Sequence, residues 1–169
     1  MNQALYRAKE PLQEWRILSE YIDITLLRNQ PNHLIEGTGG AGMLLGENET
    51  DLLMRHGSPD YRTYAHPEVL HYSFPNFSAR FLMRQSVIKS ITLEIAKNKS
   101  VSLEWFTALG LHESDLRALS ISDATKKIAA FYKTERLRTL ENAVDVYERG
   151  IRFVFAKGRI IEVEIKKPE

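Results

Sequence analysis

Leu45-Gly46-Glu47-Asn48-Glu49-Thr50-Asp51-Leu52 is the stretch on which the reading of this chain turns, because it returns as Leu109-Gly110-Leu111-His112-Glu113-Ser114-Asp115-Leu116. The copies share Leu-Gly, a central glutamate and a closing Asp-Leu, at an offset of 64 residues. A similar ending follows each copy. Arg80-Phe81-Leu82-Met83 leads to Ile91-Thr92-Leu93-Glu94-Ile95, and Arg152-Phe153-Val154-Phe155 leads to Ile161-Glu162-Val163-Glu164-Ile165. A helix start and a hairpin repeated in one order predict a duplicated unit.

Around the first copy the local signals agree. Asn48 is a good N-cap, and Asp51 falls at the third helical position, where a carboxylate suits the exposed N–H groups. Gly57 ends that helix and Pro59 blocks its continuation. Strands are predicted over Val69 to Phe74, Phe77 to Arg84 and Val87 to Ile95, with Pro75-Asn76 as a turn. In the second copy His112 is a poor cap. Ser120-Ile121-Ser122-Asp123 stands where the first copy has Gly-x-Pro, and a further helix is predicted from Asp123 to about Lys133. The closing strands are Val144 to Tyr147, Ile151 to Ala156 and Arg159 to Lys166, with Lys157-Gly158 as a tight hairpin turn.

Upstream, Leu12, Trp15, Leu18, Tyr21 and Ile22 share one face of a helix predicted over residues 11 to 28, opened by Pro11. Lys97-Asn98-Lys99-Ser100 reads as a linker. The fold class expected is α+β: two tandem modules, each a short helical segment plus an antiparallel three-stranded meander, with an N-terminal helix. The divisions are 1–36, 37–99 and 100–169. One continuous domain, with the two sheets joined edge to edge, stays open.

Composition narrows function. Of the 169 residues, 23 are Lys or Arg and 22 are Asp or Glu, and each of the three divisions is close to neutral. A phosphate-tracking surface needs an excess of cations, so no nucleic-acid partner is expected. With no cysteine there is no disulfide, thiolate metal site or cysteine nucleophile. No apolar run reaches the roughly 18 residues of a membrane span. The segment from Met1 to Glu10 lacks the apolar core of a signal peptide. The location expected is cytoplasmic if Met1 is the true start, and periplasmic or cell envelope if an export segment was removed.

Gly37-Thr38-Gly39-Gly40-Ala41-Gly42 fits G-x-G-x-x-G as a string. A dinucleotide fingerprint needs a helix opening on those glycines, so that its first N–H groups meet the pyrophosphate. Gly46 and Asn48 intervene, and the matching region Ser100 to Trp105 has no glycine. The stretch therefore reads as a flexible lead-in loop, and no cofactor is expected.

Two clusters carry chemistry. His56, Asp60, His66, Glu68 and His71 are ligand-type side chains close in sequence, and His56, His66 and His71 are the metal candidates. They span a helix end, a loop and a strand, whereas a metal wants three or four converging groups. Serines are present at 58, 73 and 78, without a G-x-S-x-G elbow. The second cluster is aromatic: Tyr61, Tyr64, Tyr72, Phe74 and Phe77. Tyrosines dominate interface hot spots because they bury large area at modest entropic cost. Tyr61, Tyr64, His66, Tyr72 and Phe74 are accordingly the protein-binding candidates, with sheet core as the competing reading of the strand aromatics.

L-G-x-x-E-x-D-L, then Gly57-x-Pro59-Asp60, then a Tyr-containing strand and an apolar hairpin, resembles two groups of small α/β repeats. One is the β-lactamase-inhibitor-protein-like fold, and the other is the SmpA/OmlA-type lipoprotein domain of the bacterial outer-membrane assembly machinery. The match covers residues 43–60 and the hairpins at 79–95 and 151–165. Gly-x-Pro-Asp occurs in the first copy alone, and there is no lipobox cysteine. The resemblance implies helical segments on an antiparallel sheet, in tandem, and a non-catalytic protein that binds another protein through an aromatic-rich face or loops. The function expected is an inhibitor, an immunity-type factor or an envelope-assembly accessory. The alternative is a small metal-binding protein or hydrolase using the His56 to His71 region.

Overall fold

Both repeated hairpins enter one antiparallel sheet of eight strands. The computed structural model describes residues 21–94, 105–117 and 120–169. The expected linker at 97–100, the start of the N-terminal helix and Leu119 lie outside the described residues. Helix α1 covers residues 21–29. Then come β1 (His33–Leu34), a small hairpin of β2 (Gly39–Gly40) and β3 (Met43–Leu44), and α2 (Glu49–His56). The first meander is β4 (Tyr61–Thr63), β5 (Glu68–Ser73), β6 (Ser78–Arg84) and β7 (Val87–Glu94). The second half holds β8 (Phe106–Thr107), a 3-10 turn at Glu113–Leu116, α3 (Ile121–Tyr132), and a second meander of β9 (Arg138–Thr139), β10 (Ala143–Val146), β11 (Ile151–Ala156) and β12 (Arg159–Lys166). The fold is α+β, and in each half helical structure precedes an antiparallel meander. Each meander has four strands where the pattern predicts three, because short β4 and β9 add an edge.

The sheet order is β4-β5-β6-β7-β12-β11-β10-β9, so it reads alike from either edge. At the centre β7 pairs antiparallel with β12, with Thr92 opposite Glu164. Equivalent features recur at an offset of 72 residues. The register shifts after Leu82 in one hairpin and after Val154 in the other. The turns Gln85-Ser86 and Lys157-Gly158 all have positive φ, the two-residue geometry that matches strand twist. This equivalence sets Ile91 beside Val163, two residues away from the match that the apolar pattern suggests.

The two helix starts keep their own offset. Gly46 and Gly110 have φ of +89° and +91°. The Asp51 carboxylate accepts from the Asn48 N–H at 3.3 Å, and Asp115 does the same for the His112 N–H at 3.0 Å. The second copy then fails to extend beyond its 3-10 turn. Ser120 caps α3 instead, accepting from the Asp123 N–H at 3.1 Å. The Ser-Ile-Ser-Asp stretch thus opens a helix two residues earlier than expected.

Alternation gives the sheet one apolar face. Leu70, Phe81, Ile91, Leu93, Val163, Ile165, Phe153 and Val144 are fully buried on it. Leu52 of α2, Ala124 and Ile128 of α3, Leu34 and Trp105 join the same core. Burying each large side chain stabilises by about 1.5–3 kcal/mol. The Gly37 to Gly42 stretch is no flexible loop: it is the β2–β3 hairpin, pressed against the middle of this face. A Cβ on Gly39 would sit 2.4 Å from the Met43 carbonyl, and one on Gly40 would sit 2.7 Å from Leu34. Only glycine permits that approach.

The halves also meet away from the sheet, where β1 pairs in parallel with β8. Burial there pushes the Glu36 carboxyl up to about 7, opposed by a hydrogen bond from Thr107 and by the Arg149 guanidinium. The neighbouring Tyr132 phenol is pushed up as well, again by burial. Between the ordinary carboxylate range and about 7 the folded state therefore holds a proton that the unfolded chain has lost. Its stability falls as pH rises through that window. Glu36→Gln is expected to raise the melting temperature at pH 8 by several degrees and to leave it nearly unchanged at pH 5. Equal effects at both pH values in a calorimetric scan would contradict this assignment.

Candidate functional site

The two faces of a strand separate the candidates by parity. Tyr61 pairs with His71 across β4 and β5, and their rings lie 5.2 Å apart on the face away from the core. Arg62 points to the other face, where it bonds Glu49 of α2 and reaches Glu68 at 2.9 Å. Tyr64 follows on that second side and is 78% exposed, with the Arg62 guanidinium 5.8 Å from its ring centre. It borders a surface depression with His66, Glu68 and Met83. Tyr61, 63% exposed, therefore does not share a surface with Tyr64.

Tyr72 and Phe74 serve the interior. Tyr72 is 5% exposed, and its hydroxyl donates to the Gly57 carbonyl at 2.9 Å. Phe74 stacks on Phe77 at 4.7 Å and meets the edge of His56. Tyr72 is thereby withdrawn from the candidate surface, and its phenol is pushed up by burial.

The metal candidates do not converge. His56 lies under the small hairpin, its Nε2–H donating to the Ala41 carbonyl at 2.7 Å. Burial pushes its pKa down, which suits this neutral, donating ring. His71 is on the opposite face, its pKa lowered by burial and then by Arg80. His66 borders the depression. Among the described residues no three His, Asp or Glu side chains stand where one ion could join them. The Gly-x-Pro-Asp segment is likewise occupied with structure: Asp60 accepts from the Ser73 N–H at 2.7 Å and locks the start of β4 to β5.

What register does assemble is a row across the whole sheet on the face away from the core. It runs Tyr61, His71, Arg80, Thr92, Glu164, Arg152, Asp145 and Arg138, one residue from each of the eight strands, every neighbour a register pair. Charges bind the row to its surroundings. Arg80 reaches Glu162 at 3.2 Å, and Glu162 lies opposite Glu94 on the central pair of strands. Burial pushes the Glu162 carboxyl up, and the Glu94 carboxylate adds to the shift. Asp145 is fully buried, and its Oδ2 accepts from Lys166 at 2.9 Å and Arg152 at 3.2 Å, with Arg138 at 3.7 Å. Arg138 also lies 4.5 Å from the Tyr147 ring centre.

No protein-family model matches this chain, and no curated protein does. Solved structures similar to it include a DUF4309 family protein from Bacillus subtilis, at 13% identity over 85% of this chain and 95% of that one, with a TM-score of 0.49. A cysteine-rich secretory protein from Staphylococcus aureus is similar at 12% identity over 81% of this chain, with a TM-score of 0.40. The chain spans about half (48%) of the staphylococcal protein's length. Among the described residues no helix is long and apolar enough to cross a membrane.

Most of the row escapes a reading of local sequence. Arg80 and Arg152 do head the two repeated hairpin motifs, a signal that identifies them as equivalent. Thr92, Glu164 and Asp145 join them only once the strand order is known.

Proposed function

We propose that this chain is a non-catalytic protein-binding or regulatory module, built as two copies of one helix-plus-meander unit, that docks a partner protein on the polar face of its sheet. The observation that carries the reading is the eight-residue row from Tyr61 to Arg138. It offers a tyrosine and three arginines, residue types that concentrate binding energy at interfaces. Strand pairing and ion pairs hold these side chains in place before a partner arrives, which lowers the ordering cost of association. An inhibitor, an immunity-type factor and an envelope-assembly accessory all fit this mode, which is also what the resemblance of the repeated motif implies. The partner is a protein rather than a nucleic acid, because Glu94, Glu162, Glu164 and Asp145 offset the arginines.

The test is affinity capture from native extract, read by mass spectrometry, beside a Tyr61→Ala/Arg80→Ala variant whose folding is checked by melting. A partner kept by the native chain and reduced at least tenfold by the folded variant is the expected result. Equal retention by both, or no retained partner, would count against the sheet face.

A further inference from the structure

We infer a second binding site, for an acidic peptide segment carrying an apolar side chain, in the depression beside Tyr64, where the β4–β5 connection meets the β6–β7 turn. The depression has a volume of about 660 Å³ and is lined by Tyr64, His66, Glu68, Met83, Arg84 and Lys89, together with Pro67 and Gln85. That volume lies within the range of roughly 300–1,000 Å³ typical of ligand pockets.

Charge complementarity selects the occupant. Arg84 and Lys89 are both exposed, and neither is in an ion pair among the described residues. The one carboxylate in the lining, Glu68, is already held by Arg62 at 2.9 Å. Among the described residues the cavity therefore presents two cations outside any ion pair and an imidazole, beside an acid already held by Arg62. Its apolar surface comes chiefly from the exposed Tyr64 ring and from Pro67, with Met83, 3% exposed, packed behind them. Arg62 lies against Tyr64 and ties it to α2 through Glu49. The turn that carries Gln85 and Ser86 is a tight two-residue turn, with φ of +52° and +60°, so Arg84 is displayed from a short hairpin end. A ligand matching these features has carboxylates for Arg84 and Lys89 and an apolar side chain for Tyr64 and Pro67. An acidic protein segment supplies both. The site goes beyond the sheet-face reading and does not depend on it, since none of Tyr61, His71 and Arg80 lines the depression.

The experiment is an amide-resonance titration of the ¹⁵N-labelled full chain with the blocked pentapeptide Glu-Glu-Leu-Glu-Glu, at low and at 0.3 M salt. Saturable shifts confined to residues around Tyr64, Gln85 and Lys89 are expected. Affinity should weaken at least tenfold in Arg84→Glu/Lys89→Glu and also in Tyr64→Ala, and it should be unchanged in Tyr61→Ala/Arg80→Ala. Each variant's melting curve shows that it folds. No saturable shift at millimolar peptide would overturn the inference, as would equal binding of Lys-Lys-Leu-Lys-Lys. The same shifts produced by inorganic phosphate alone would make this a small-anion site and also overturn it. Shifts confined to Arg80, Thr92 and Glu164 would overturn it while leaving the sheet-face reading standing.

Discussion

Asp145→Ala is expected to lower the unfolding free energy by about 3–5 kcal/mol, the range seen when one member of a buried ion pair is removed. Three cations converge on a single carboxylate oxygen of this fully buried residue. Without it Lys166 and Arg152, both largely covered, face each other with no counter-charge. The three partners are unequal, which sharpens the test. Arg138 is half exposed and sits at 3.7 Å, so Arg138→Ala should cost the least of the three. Lys166 is nearer and better covered, so Lys166→Ala should fall between the two. Asp145→Asn keeps the volume and loses the charge, and it should recover part of the stability lost in Asp145→Ala. Urea unfolding of the four variants reads this order directly. If Asp145→Ala costs no more than Arg138→Ala, the network behaves as a surface ion pair and does not organise the second half of the polar row.

Register explains which parts of this protein are legible in its sequence. Alternating apolar residues mark β6, β7, β11 and β12, because period-two burial is a local pattern. The same periodicity hides the 72-residue offset at which the hairpin turn and its register shift recur. Matching Ile91 to Ile161 or to Val163 gives the same alternation, since a two-residue slip returns each side chain to its own face. Turn chemistry decides Lys157-Gly158 but not Gln85-Ser86, where non-glycine residues adopt the same positive φ because the strands on either side impose it. The glycines at 39 and 40 signal backbone freedom, yet their use is close approach to Leu34 and Met43, which are partners only in three dimensions. Placing Tyr61 and Tyr64 in one patch fails for a similar reason. Separated by three positions, they leave opposite sides of an extended segment. The polar row is a tertiary object and depends on seven separate strand registers.

Phe81→Ala and Phe153→Ala are each expected to cost about 3–5 kcal/mol, the range for removing a core phenylalanine. Both rings are fully buried at equivalent positions of the two hairpins. Phe81 meets Tyr72 edge-on at 5.6 Å, and Phe153 stacks on Trp105 at 5.5 Å. Such aromatic pairs add about 0.5–1.5 kcal/mol beyond area burial. For a chain of this size each kcal/mol moves the melting temperature by about 2–4 °C, so both variants should melt roughly 10 °C or more below the parent. The shape of the transition carries the larger consequence. Strands β7 and β12 share five register pairs, and Leu93 and Ile165 beside that seam are both fully buried against the small hairpin. Neither meander can leave without exposing the other's apolar face. Each variant should therefore unfold in one cooperative step, with the same midpoint by tryptophan fluorescence and by far-ultraviolet circular dichroism. Two steps in either variant, with the unmutated half melting at the parent's temperature, would mean that the halves are separate folding units and that the central pair of strands is a docking contact rather than shared core. In that event the polar row would be rigid only while the halves stay docked, and a partner spanning both would stabilise the seam as it binds.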